Sequence, residues 1–292
     1  MDARQVMRWA GVCCLLTVIG WSAAAPAGAA PARAPGTPTT CTGTQGSPGV
    51  LAGSYPSGAV VTGFCDVSGG VATVHGTLTI ASGATLDGTY AHNHTSGTGG
   101  SSLTVTGNVK VAAGATLVIG CEPEHLPCSD DPGGTLSSLD HIGGNLVARH
   151  ALGVVVHATS VGGSVTQSTG GGGVTCDSPP GSLFAQIGTG AYSDYEDDTI
   201  GGSLHVTGLR TCWIGILRND VTHNLVDSHN SFSDPDANET MQNAVGGNIA
   251  CTGNSPAVQY GDSSATPNVV KGHASGECTF TPASGPAVSV KG

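Results

Sequence analysis

The sequence predicts an all-β chain wound as a parallel β-helix, a solenoid of about 20 residues per coil with disulfide-tied loops. Three observations predict it. A pentapeptide of β-branched residue, any residue, Gly, small polar residue and aliphatic residue recurs along the chain. The neighbouring apolar residues alternate with polar ones, as in Leu78-Thr79-Ile80 and Val109-Lys110-Val111, which is a strand period. No convincing amphipathic helix stands between the copies.

The pentapeptide copies are VHGTL (74–78), VTGNV (105–109), IGGNL (142–146), VGGSV (161–165), IGGSL (200–204) and VGGNI (245–249). VTHNL (221–225) has lost its glycine, and PPGSL (179–183) and TPNVV (266–270) are degenerate candidates. Successive starts lie 31, 37, 19, 39, 21 and 24 residues apart, mostly one or two units of about 20 with loop insertions. GTLTIASGATL (76–86) and GNVKVAAGATL (107–117) agree at six of eleven positions. Leucine-rich repeats have a similar period but need several leucines per unit, which are missing. Each coil cannot bury its apolar face alone, so stacking makes the core. Stacking also brings the polar slot into one column: Thr77, Asn108, Asn145, Ser164, Ser203, Asn224, Asn248 and Asn268. Such residues cap turns and pair with the next coil.

Composition agrees. Glycine supplies 47 of 292 residues, charged residues only 10% and aromatics 4%, yet hydrophobic residues reach 38%, which suits an ordered, glycine-rich chain rather than a disordered one. There is no G-X-Y period, which excludes collagen. Nine Lys and Arg against twenty Asp and Glu leave a net charge of −11. That argues against nucleic acid and against anionic membranes, and leaves cations and neutral polymers as partners.

The N-terminus reads as an export signal. Arg4 and Arg8 precede an apolar run from Trp9 to Ala25, and Ala27-Gly28-Ala29 offers a small-residue cleavage site, so 1–29 is expected to be a signal peptide and 30–40 a Pro/Ala/Thr linker. No membrane span is expected after its removal, and a secreted or cell-surface monomer follows. Eight cysteines remain, at 41, 65, 121, 128, 176, 212, 251 and 278. An even number in an exported chain implies disulfides, and the absence of any C-x-x-C pair argues against metal. A chain that coils locally favours sequential pairs: 41–65, 121–128, 176–212 and 251–278. Open edges at the two ends need caps, assigned to 41–73 and 265–292 of the 41–292 domain.

The GGN and GGS coils, the scattered cysteines and the tail VGGNIACTGNSPAVQYGDSSATPNVVKGHASGEC (245–278) resemble secreted right-handed parallel β-helix proteins of actinobacteria. The resemblance covers about 70–280 and implies a single right-handed parallel β-helix. It is informative for fold and poor for function. Pectate-lyase-like enzymes share the broad fold, but their calcium-carboxylate and catalytic basic clusters do not map onto this chain, so no catalytic residue is assigned.

Three local groups bear chemistry. Asp234, Asp236 and Asn238 form a D-x-D-x-N run that offers oxygens at alternate positions, as calcium loops do, although Glu239 stands where the turn glycine belongs. Calcium is the one cofactor considered. Asp194, Glu196, Asp197 and Asp198, beside Tyr192 and Tyr195, are candidate ligand-binding residues together with Trp213; carboxylates serve hydrolysis and aromatic rings stack on sugars. His92 and His94 could supply two imidazoles, with His75 as a third. Asn93 and Asn238 head glycosylation sequons. Threonine pairs at 77/79 and 104/106 suggest an ice-binding array, which Lys110, Val147 and His205 interrupt.

Insertions at 87–101, 121–140 and 169–199 are expected to map to one flank. The leading expectation is a non-enzymatic extracellular or cell-surface module for structure, adhesion or binding of a glycan or cell-wall polymer. The alternative is a polysaccharide lyase or glycoside hydrolase on the same scaffold. A groove with paired carboxylates about 5–10 Å apart would favour hydrolysis. A carboxylate cluster facing a basic residue would favour a lyase.

Overall fold

The computed structural model describes residues 36–259 and 266–279. The expected signal peptide and most of the linker lie outside the described residues. Three all-parallel sheets carry the chain. The first has ten strands, from Thr39–Cys41 to Ala274–Gly276. The second has eight, from Gly49–Val50 to Asn238–Met241. The third has nine, from Gly53–Tyr55 to Val269–Val270. The chain visits first, second and third sheet in turn and then starts again one strand further along. A two-stranded pair, Arg210–Thr211 with Ser231–Phe232, adds a short fourth face. This path is consistent with a parallel β-helix. Among the described residues no helix is long and apolar enough to cross a membrane.

The pentapeptide is the corner between the third and first sheets. Its β-branched residue ends the third sheet, where Val74, Val105, Ile142, Val161, Ile200, Val221 and Val245 stand in register. Its aliphatic residue opens the first sheet, where Leu78, Val109, Leu146, Val165, Leu204, Leu225 and Ile249 align. All fourteen are at most 2% exposed and form one core. The glycine between them answers to a close approach: a Cβ on Gly163 would stand 2.8 Å from the carbonyl oxygen of Gly144, one coil earlier. Along the first sheet the shortest coils advance 19 residues, as from Leu146 to Val165.

The polar slot is a ladder along this corner. The backbone N–H of Asn145 donates to Asn108 Oδ1 at 2.8 Å, Ser164 to Asn145 Oδ1 at 2.8 Å, Ser203 to Ser164 Oγ at 3.1 Å, Asn224 to Ser203 Oγ at 3.2 Å, and Asn248 to Asn224 Oδ1 at 2.9 Å. The last rung is the N–H of His273 on Asn248 Oδ1, 2.8 Å. Asn268 therefore does not occupy this slot. Val270 pairs with Val245, which shifts the final copy to 270–274. PPGSL is no repeat either: Ser182 caps the helix Leu183–Ile187, the only α-helix among the described residues, by accepting from the N–H of Ala185.

A second ladder runs inside the corner that follows the second sheet. There Ala158, Asp197, Arg218 and Gln242 adopt positive φ, from 46° to 60°. The next residue on each coil points inward. Thr159 N–H donates to Asp198 Oδ1, Asp198 N–H to Asn219 Oδ1, Asn219 N–H to Asn243 Oδ1 and Asn243 N–H to Asn268 Oδ1, all at 2.9–3.0 Å. These buried rungs satisfy backbone groups that the corner removes from the sheets.

The four disulfides are 41–65, 121–128, 176–212 and 251–278, the sequential set. Residues 41–73, expected as a cap, carry strands of all three sheets. Of the expected cap 265–292 only 266–279 is described, and it holds the last strands of the third and first sheets.

The insertions all adjoin the second sheet. Two leave its strands after Gly88 and Ile119, and one precedes the strand Tyr192–Glu196. That strand and Thr199–Ile200 shorten the third insertion, which ends before residue 192 rather than at 199. Together they cover the sheet's outer side. Val118, Val155 and Leu183 are buried there, with Phe64, Leu126 and Tyr192 packed against them.

Candidate functional site

Alternation along Tyr192–Glu196 decides which of its side chains can meet a ligand. Tyr192, Asp194 and Glu196 face outward. Tyr195 faces the core, is 0% exposed, and donates its hydroxyl to Gln167 Oε1 at 2.8 Å. Asp198 is a rung of the inner ladder. Neither Tyr195 nor Asp198 lies on the outer face, contrary to their reading as ligand-binding residues. Asn238 is likewise inside, beside the buried Asp227, whereas Asp236 is exposed on the surface. The D-x-D-x-N run is thus split across a strand, and its three side chains do not converge on one ion. Burial of Asn238 also removes it as a glycosylation acceptor.

The outward carboxylates meet partners from other coils. His157, directly in register with Glu196, places Nε2 3.1 Å from Asp194 Oδ2. Arg218 binds Asp197 in a fork, Nε to Oδ1 and Nη2 to Oδ2, both 2.9 Å, and its Nη2 also donates to Glu196 Oε2. The insertion 121–140 closes over them. His125 Nδ1 lies 3.1 Å from Asp197 Oδ2 and 3.5 Å from Glu122 Oε1, and Glu122 Oε1 lies 4.0 Å from His157 Nδ1.

Burial dominates the electrostatics. It pushes the Asp194 carboxyl up to about 7. Glu196 reaches about 7 through burial, aided by the neighbouring Asp194 charge. Glu122 also reaches about 7, through burial and then contact with the Asp197 carboxyl. Asp197 is driven the other way: the hydrogen bonds from Arg218 and the contact with Glu122 together outweigh its desolvation and hold it below the ordinary carboxylate range. Burial lowers His157 despite the surrounding acids. The basic side chains that meet the acidic run are His157, Arg218 and His125.

No protein-family model, curated protein or solved structure matches the chain.

A second locus lies at the other edge of the same sheet. Tyr192 and Trp213, adjacent in register, stack with ring centroids 4.3 Å apart and planes 11° from parallel. Phe184 of the helix packs on Tyr192 at 5.1 Å. On the next coil Asp234, Asp236, Ala237 and Glu239 form with Trp213 an open depression. One half-buried indole thus stands beside three carboxylates.

The histidine loop forms its own contact. His92 Nδ1 and His94 Nε2 both approach Asp130 Oδ2, at 3.3 and 2.9 Å, so Asp130 rather than His75 completes the group.

Proposed function

We propose that this chain is a secreted, non-enzymatic module, a single right-handed parallel β-helix, that binds a neutral extracellular glycan or cell-wall polymer at the Trp213 depression. The handedness follows from the preference of parallel crossovers for the right-handed sense, and the four disulfides suit an oxidising compartment. The resemblance to actinobacterial secreted β-helix proteins points the same way.

The observation that carries the binding reading is the stacked Tyr192–Trp213 pair opening onto Asp234, Asp236 and Glu239. An indole held from behind by a second ring has its orientation fixed before a ligand arrives, which lowers the ordering cost of binding. Carboxylates beside it accept hydrogen bonds from sugar hydroxyls, and the net negative charge of the chain turns away polyanionic polymers. Glycan-panel binding by the wild-type chain, lost in Trp213→Ala, tests the reading.

The contact of Arg218 with Glu196 and Asp197 favours a lyase as a second reading, because a basic group faces a carboxylate cluster. Against it, the Arg218 donors are occupied by those carboxylates, and Asp194 and Glu196 are at most 8% exposed. Hydrolysis fits less well for the same reason: Asp194 and Glu196, the paired carboxylates, are buried and engaged by His157 and Arg218. An unsaturated product from an acidic polysaccharide, followed by ultraviolet absorbance, would support the lyase over the binding module.

A further inference from the structure

We propose that Glu122, His125, His157 and Asp197 form a binding site for one divalent transition-metal ion of the zinc class. The site is separate from the Trp213 depression and does not depend on glycan binding.

The first argument is a pair of buried atoms without partners. Nδ1 of His157 and Oε1 of Glu122 make no hydrogen bond, although the His157 side chain is only 2% exposed. They face each other at 4.0 Å. A buried imidazole nitrogen and a buried carboxylate oxygen left unpaired are each costly. One shared cation satisfies both.

The second argument is spacing. A tetrahedral zinc with bonds of about 2.0–2.1 Å to nitrogen and oxygen sets neighbouring donor atoms about 3.3–3.4 Å apart. Two separations stand close to this value, 3.1 Å from His125 Nδ1 to Asp197 Oδ2 and 3.5 Å from His125 Nδ1 to Glu122 Oε1, so these three residues form the nucleus of the site. His157 Nδ1, 4.0 Å from Glu122 Oε1, stands farther out and must close in to complete the set. Two imidazoles in the set select zinc-class ions over calcium or magnesium, which take oxygen ligands.

The third argument is the surroundings. His157 Nε2 lies 3.1 Å from Asp194 Oδ2, the carboxylate–histidine arrangement that orients a ligating imidazole and leaves its other nitrogen for metal. Arg218 braces Asp197 in the same way. Glu122 and His125 lie inside the short loop closed by Cys121–Cys128, which holds both donors three residues apart on one turn. Four carboxylates, at 122, 194, 196 and 197, face one guanidinium, and a divalent ion offsets much of that excess.

The test uses the purified full chain, zinc as the probe, metal analysis after dialysis, and competition against a chromophoric chelator. One zinc per chain is expected in the wild type. His125→Ala, a substitution on the surface loop, and His157→Gln, a conservative one in the interior, should each weaken binding at least tenfold. Asp194→Asn should weaken it by about ten- to a hundredfold through loss of the orienting carboxylate. Far-UV circular dichroism and thiol titration confirm that each variant is folded with its disulfides intact. His94→Ala should bind as the wild type does. Absence of stoichiometric zinc in the wild type at micromolar metal would overturn the proposal. So would unchanged affinity in both His125→Ala and His157→Gln, or loss of zinc in His94→Ala alone, which would place the metal on the exposed histidine loop.

Discussion

Arg218 holds both oxygens of Asp197, the residue that occupies the same left-handed corner one coil earlier, with φ of 56° at each. The stacking of corners, rather than proximity in sequence, makes this pair. Its fork geometry is one that lysine cannot copy. Arg218→Ala should cost about 1.5–3 kcal/mol of stability, the range for hydrogen bonds to charged groups, and Arg218→Lys should recover only part of that loss. Urea unfolding of the three proteins measures it, and equal midpoints for all three would show the fork to be energetically idle.

The two polar ladders should differ in worth. Asn219 is 1% exposed, accepts from Asp198 N–H, and donates to Tyr195 O and Asn243 Oδ1. Asn219→Leu strands several buried groups, each costing about 1–3 kcal/mol. Asn145 lies on the exposed corner, where water replaces its lost bonds, so Asn145→Ala should cost no more than about 0.5–1.5 kcal/mol. Denaturant midpoints that place Asn145→Ala below Asn219→Leu would refute this ordering.

Asp227 makes stability depend on pH. It sits in the core at 0% exposure among Asn230, Thr240 and Asn254, and burial pushes its carboxyl up to about 7. Its folded value lies above its unfolded one. The contribution is therefore fully present below about pH 4 and is lost as pH rises through about 7, because the unfolded chain releases the proton first. Thermal melts in the presence of a chelator should fall between pH 4.5 and 8. Asp227→Asn should flatten that fall, and an unchanged slope in the variant would assign the effect elsewhere.

The fold was legible because the pentapeptide marks a corner that every coil must turn. Its glycine, polar and aliphatic positions each answer to a contact with the coil before, so the pattern survives insertions of any length. The disulfides were legible for a related reason: a chain that coils locally brings sequential cysteines together, within one loop for Cys121–Cys128 and over longer separations for the other three. The site was less so. Reading 194–198 as one acidic run ignored the alternation that sends Tyr195 inward and the corner that buries Asp198. Glu122, His125 and Arg218 went unnoticed because the contacts among these groups cross coils whose lengths vary with the insertions. One signal was present. Asp197 and Arg218 both stand three residues before a pentapeptide, at Ile200 and Val221, and Asp198, Asn219, Asn243 and Asn268 all stand two before a copy, the last once that copy is set at 270–274. Aligning those offsets gives both the ion pair and the inner ladder.

The central claim is that Trp213 presents a glycan-binding surface. The most direct measurement is calorimetric titration of the wild-type chain and Trp213→Ala with the best ligand from a panel of neutral and acidic glycans, with His125→Ala as the control variant. The account predicts a neutral-glycan ligand, binding abolished or weakened at least tenfold in Trp213→Ala, and wild-type affinity in His125→Ala. Equal affinity in wild type and a folded Trp213→Ala, or no ligand in the panel at all, would contradict it.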